Sequence, residues 1–335
     1  MASTPAGTRL TEAQRREQLE IRSGFLAEFL ALWSLLDLFD LDRTTPGWVR
    51  AVLALIDLWR MISARSALDY FDRFRRLEVP GADPLPEIVF IDTPSAERAA
   101  RRAARRAAPS VKRNPAAPRE RSGLVRTPQQ SGLIRRGDAE SKLVIDWGAR
   151  RGAVQASLEI LGPINIKSKI KRGQTPEQAA RNALVEVSGV STRHVMEGGR
   201  QTNVVAMRND KLIKGWIRVT GPNPCAFCSM LASRGPVYRK DSFTGARSLR
   251  NPRDPGVPFL GDGSFKVHDH CQCGLEAIYY TDTQWPGRAN EFNDLWNTHI
   301  RNKYSGKDAL RAWRRLYEQR QREQGRPTIG FPEAA

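Results

Sequence analysis

The stretch Lys214-Gly-Trp-Ile-Arg-Val-Thr-Gly-Pro-Asn-Pro-Cys-Ala-Phe-Cys228 decides how this chain is read. Its first seven residues alternate, with Trp216, Arg218 and Thr220 on one face and Ile217 and Val219 on the other, which predicts a strand. A Cys-x-x-Cys pair stands beyond it, and the turn between its cysteines presents both sulfurs to one point. Further on comes His268-Asp-His-Cys-Gln-Cys273, with 42 residues between Cys228 and Cys271, and it leads into a second predicted strand, Gly274 to Tyr280. All four cysteines and two of the four histidines fall between residues 225 and 273.

Thiolates and imidazoles at this spacing suit a tetrahedral ion, the first pair supplying two corners and the second cluster the rest. Zinc is the natural ion for so soft a nitrogen and sulfur set. Such a structural site contributes on the order of 10 kcal/mol to folding, enough to close the glycine- and proline-rich excursion over residues 239–263. Six side chains compete for four corners. Cys225, Cys228, His268 and Cys271 are the favoured set, with Cys273 next and His270 in reserve. The alternative is that the thiols are small buried hydrophobes, or pair as an occasional disulfide. A catalytic zinc is disfavoured, because no His-Glu-x-x-His or evident general base accompanies the cluster.

Working outward, residues 11–79 predict a helical hairpin. Thr11 and Gln14 have capping-box spacing, and Phe25, Leu26, Phe29, Leu30, Trp33, Leu36 and Leu38 follow at near-helical period. Thr45-Pro46 marks a second helix start, carried on by Val49, Val52, Leu53, Ile56, Trp59 and Ile62 and closed by Tyr70, Phe71 and Phe74. Three carboxylates (Glu28, Asp37, Asp40) interrupt the most apolar stretch, which therefore predicts a buried helix and not a membrane span. Residues 139–161 predict a helix with Trp147 and Leu158 inward. Thr175-Pro176-Glu177-Gln178 opens another to about Val187, and Ser191 to Met207 continues as helix weakened at Gly198-Gly199. Residues 287–300 and 306–324 predict closing helices, the last basic along one side (Arg311, Arg314, Arg315, Arg322).

The 335 residues carry a formal net charge of +18, and the excess is local. Residues 1–95 sum to −3, whereas residues 96–136 reach +10. That middle segment starts as an alanine- and arginine-rich helix with Arg101, Arg102, Arg105 and Arg106. Past Pro109 it becomes a Pro-, Ser- and Gly-rich linker holding Lys112 and Arg113. Either it is merely solvated, or its arginine forks grip phosphate or carboxylate oxygens. Sparse aromatics argue against base stacking. The polar N-terminus shows no secretory signal, so use in a cytoplasm with reduced thiols is expected. Four units follow: a helical N-terminal unit over 8–95, a basic helix and linker over 96–137, an α+β unit with a small sheet over 138–285, and a basic helical tail over 286–335. The fold class is α+β, mainly helical.

The order Cys225-Ala-Phe-Cys228, an excursion, and then His268-Asp-His-Cys271-Gln-Cys273 before a strand resembles the phage Mu F-like domain. That family carries a Cys-x-x-Cys and a His-Pro-x-Cys-Arg-Cys box in minor head proteins of tailed phages. The likeness is greatest to the actinobacteriophage versions, some called capsid maturation proteases, and covers about residues 140–285. Asp269 stands where proline is usual and Gln272 where arginine is usual, which leaves the candidate ligands in place. The resemblance implies a virion protein inside the head near the portal, assembled in the host cytoplasm. It implies a few copies per virion, contact with the portal protein and other capsid proteins, and a role in head assembly and DNA packaging or delivery. If the basic helix and tail touch phage DNA, most of the contacts are to its phosphates. A capsid maturation protease is the competing reading. It would need a serine and a base; Ser191, three residues before His194, is close enough to share a helix face with it, as many unrelated pairs are, and there is no Gly-x-Ser-x-Gly elbow. A zinc nuclease built on His268-Asp-His270 is the weakest reading.

Overall fold

The computed structural model describes residues 4–92, 134–136, 142–221, 223–235, 250–251, 254–258, 269, 271–280, 285 and 287–325. The chain opens with α1 (Pro5–Trp33) and α2 (Leu41–Glu78), an antiparallel hairpin. Thr4 caps α1 by accepting from Gly7 N at 3.0 Å, and Pro5 fills the first helical position. The expected cap at Thr11 is therefore corrected. Thr11 and Gln14 lie a turn or two inside the helix and bond across to Tyr70 (2.8 Å) and Ser66 (3.1 Å) of α2. The same holds for Thr45-Pro46. Asp40 caps α2 through Arg43 N, and Thr45 turns its hydroxyl back on Leu41 O at 2.6 Å. In both cases an earlier side chain reaches the orphan N–H groups first.

Next come β1 (Glu87–Ile91), β2 (Ile134–Arg136) and β3 (Lys142–Asp146), in the sheet order β1-β3-β2. Within the helix expected over residues 139–161, Lys142–Asp146 is thus a strand. The Leu143-Val-Ile145 run pairs in parallel with Ile88-Val-Phe90, a long-range partner that overrides local helix preference. A 3-10 turn over Trp147–Arg150 leads into α3 (Arg151–Glu159), and the chain kinks at Gly162-Pro163 and resumes as α4 (Asn165–Lys171). Trp147 and Leu158 are buried as expected.

The axis of the molecule is α5 (Pro176–Asn209). It starts at a capping box in which Thr175 and Gln178 bond each other's backbone N–H at 3.3 Å. It runs unbroken through Gly198-Gly199. Those glycines mark where α2 presses against it, since a Cβ on Gly198 would lie 2.2 Å from the Arg60 carbonyl oxygen. Phe25, Phe29, Trp48, Val52 and Ile56 of the hairpin pack with Leu158, Ile166, Val187 and Val190 into one apolar core. Leu30 does not join them and lies about half exposed.

Beyond α5, β4 (Gly215–Val219) pairs antiparallel with β7 (Gly274–Ile278), and the short β5 (Arg250–Asn251) and β6 (Asp254–Pro258) pair with each other. Three helices complete the chain: α6 (Ala226–Ala232), α7 (Ala289–His299) and α8 (Gly306–Glu323). Met230, Phe292, Leu295, Trp313 and Tyr317 form their common core. The architecture is mainly helical α+β, with small sheets of short strands, as the sequence predicts. No helix among the described residues is long and apolar enough to cross a membrane.

Candidate metal centre

The pairing of β4 with β7 brings the two halves of the cysteine motif together. Val219 sits opposite Gly274, so the chain leaving β4 toward Cys225 runs beside the chain entering β7 from Cys273. Cys225 then caps α6, its Sγ accepting from Cys228 N at 3.3 Å. That bond turns the helix start so that Cys228 faces the incoming strand. The four cysteines form no disulfide and are buried in one cluster, with Phe227 packed against it.

Within the cluster, Cys228, Cys271 and Cys273 place their sulfurs within 4.8 Å of one another, and Cys228 and Cys271 stand 3.6 Å apart. Sulfurs about 2.3 Å from a tetrahedral zinc lie about 3.8 Å from each other, so the spacing fits an ion and is far too long for a disulfide. Cys225 touches the trio without being within that limit of all three members. His268 and His270 lie outside the described residues, as do the predicted contact residues Arg101, Arg102, Arg105, Arg106, Lys112 and Arg113.

Electrostatics explain why such a cluster suits a cation. Hydrogen bonding to the sulfurs of Cys225, Cys271 and Cys273, together with burial, pushes the Cys228 thiol far up. For Cys273 the Cys228 thiol acts the other way, but Cys271 and burial outweigh it and push the group up to about 12. Each thiolate opposes the next in a dry pocket, and a divalent ion would remove that conflict. Nearby arginines offset the negative charge of the thiolates that would hold the ion. Arg218 Nη1 is 3.9 Å from Cys228 Sγ, and Arg200 donates to the carbonyls of Cys271 (2.5 Å) and Cys273 (3.2 Å).

Sequence reasoning missed the groups that hold this corner. Arg200, on α5, pins the second cysteine segment. Trp313 Nε1 donates to Ala226 O at 2.8 Å, and Tyr317 donates to Pro224 O at 2.7 Å, so α8 anchors the first cysteine turn from behind. The signal for α8 was Trp313-x-x-x-Tyr317 at one-turn spacing. For Arg200 no local signal exists, because its partners lie some 70 residues away.

The Ser191/His194 pair has a different setting. Ser191 is completely buried in α5, so no peptide carbonyl reaches its hydroxyl. Burial lowers the His194 pKa, and its Nδ1 is 3.9 Å from Glu197 Oε2. Burial would raise the Glu197 carboxyl, yet His194, Arg150 and Arg60 hold it down at about 2. With Arg60 donating to His194 O at 3.0 Å, these groups form a suture between α2, α5 and the Trp147 turn.

With this geometry in view, the family described as VG15 protein matches residues 163–299, less than half of the chain but all of the cysteine corner. The chain also resembles a phage protein. In particular, it is 26% identical over 178 residues to the Gene 15 protein of Mycobacterium phage D29, an alignment covering 43% of this chain and 63% of that protein. The chain therefore spans about 63% of the length of the curated relative it matches. No solved structure matches it.

Proposed function

We propose that this chain is a minor head protein of a tailed phage, of the Mu F-like kind, bound at the portal and acting in head assembly and DNA packaging or delivery. It works by binding, with the cysteine cluster as a structural zinc clamp. The observation that carries this reading is the convergence of Cys228, Cys271 and Cys273 on one buried point, produced by the β4–β7 register. The likeness to a phage Gene 15 protein supports the phage setting.

In this reading Cys228, Cys271 and Cys273 hold the ion, with Cys225 or His268 as the fourth ligand. Zinc would supply a crosslink that needs no redox partner. The clamp then fixes α6 against α8. The outward side of α8 carries the exposed Arg311, Arg315 and Arg322, a rigid basic face for the portal or for DNA phosphates. Residues 101–113 add a second basic element, and contacts of either kind would weaken with salt.

The test is quantitative mass spectrometry of purified virions together with capture of the portal protein by the tagged chain. A few copies per head, and portal capture that falls as salt rises and drops in an R101A/R102A/R105A/R106A variant, are expected. Absence from mature heads and from portal complexes would overturn the proposal.

A further inference from the structure

Between α1, α5 and the segment entering β7 lies a cavity of about 60 Å³. Three guanidinium groups line it: Arg15 and Arg22 from α1, and Arg200 from α5. No carboxylate lines it, and among the described residues none of the three arginines has an ion-pair partner. Arg200 is only 7% exposed. Its Nε and Nη2 are used on the carbonyls of Cys273 and Cys271, but the buried Nη1 has no partner among the described residues. Arg22 Nε is likewise buried and unpartnered. The walls are largely apolar, with Tyr70, Met196 and Leu275 among them. Gln14 and Gln18 already spend their amides on Ser63 and Ser66, so they act as wall and not as ligands.

A buried cation without a counter-charge is among the least favourable arrangements a fold can hold. Arg200 is such a cation; with the buried, unpartnered Nε of the partly exposed Arg22 and with Arg15 beside them, it defines a receptor for an anion. We propose that this cavity binds a single phosphate-type oxyanion, gripped by Arg200 Nη1 and Arg22 Nε with Arg15 at the rim. Three positive charges match a dianion better than a lone carboxylate, and the volume admits little beyond the anionic group itself. Asn203, which lines the cavity with its Oδ1 unpartnered, offers a donor once its amide is rotated. Because Arg200 also holds Cys271 and Cys273, occupancy of the cavity stiffens the segment that carries two of the thiols. The phosphate is either free in solution or the terminal phosphate of a nucleic-acid strand.

The experiment is calorimetric titration of the full chain with inorganic phosphate at constant ionic strength, beside chloride and acetate. It compares the wild type with R22Q and R200K. R200K disturbs the cysteine segment as well, whereas Arg22 has no partner among the described residues, so R22Q keeps the test meaningful if R200K misfolds. Saturable binding of one phosphate per chain, weakened about tenfold or more in R22Q, is expected. Parallel titrations use one short oligonucleotide with and without a 5′-phosphate. Preference for the phosphorylated strand assigns the strand end as the source, and equal response with inorganic phosphate still bound assigns the free anion. Phosphate behaving like chloride, acetate binding as well as phosphate, or R22Q binding like wild type would overturn the proposal.

Discussion

Around Gly198, α2 and α5 meet through side chains that complete one another, whereas at Cys225–Cys228 the chain meets the Cys271–Cys273 segment through four thiols. The first contact buries Phe25, Phe29, Trp48, Ile56 and Val187, each worth about 1.5–3 kcal/mol or more in transfer terms. One polar network is tied across it as well: Arg75 donates to Asp210 Oδ2 at 2.9 Å, and Tyr279 donates to the same oxygen at 2.9 Å. The second contact has little apolar area of its own and relies on Arg200, Trp313 and Tyr317 to hold its backbone. A body that closes by burial can stand alone. A corner that closes on clustered thiols depends on what binds them.

The largest effect expected from this contrast is selective. A C271S variant removes one of the converging sulfurs, and a structural zinc contributes on the order of 10 kcal/mol. Hydrogen exchange should rise over residues 220–235 and 271–280 while the amides of α1 and α2 stay protected. Equal loss of protection in both regions would show the two contacts to be a single cooperative unit.

Asp210 lets the self-sufficient body be broken on purpose. D210A leaves the buried Arg75 and Tyr279 without their acceptor, and breaking a buried pair in this way costs about 3–5 kcal/mol. Denaturant unfolding should show that loss without a change in thiol reactivity.

Glu197 gives the pH dependence. Its folded pKa of about 2 lies below the ordinary value of 4.5, so its stabilisation is complete above the ordinary value and disappears as pH falls toward 2. E197Q should cost up to about 3 kcal/mol at neutral pH and flatten the acid limb of the stability curve. An unchanged acid limb would remove Glu197 from the suture. The smallest effect concerns the cysteine corner. Y317F loses one hydrogen bond to Pro224 O, about 1 kcal/mol, and should quicken thiol modification at Cys225 and Cys228 more than it lowers the melting temperature.

The helical body was legible because its signals are local. Phe25, Phe29, Val52 and Ile56 repeat at helical spacing, and Thr175-Pro176 announces α5 within four residues. What was misread follows from competition over distance. Residues 142–146 became a strand because β1 lies ready to pair with them, and Gly198-Gly199, weak for an isolated helix, are required where α2 comes close. The cysteine motif could be found from spacing, but its geometry could not, since only the β4–β7 register decides that Cys273 stands with Cys228 and Cys271. Arg200 was invisible for the same reason. Its partners are backbone carbonyls far along the chain, which leave no mark on residue choice.

Elemental mass spectrometry of the purified full chain, combined with thiol titration before and after chelation, tests the central claim most directly. The account predicts close to one zinc per chain, thiols that react only after chelation, and loss of order confined to the cysteine corner. No bound metal, with four thiols reacting freely in a chain that stays folded, would contradict it.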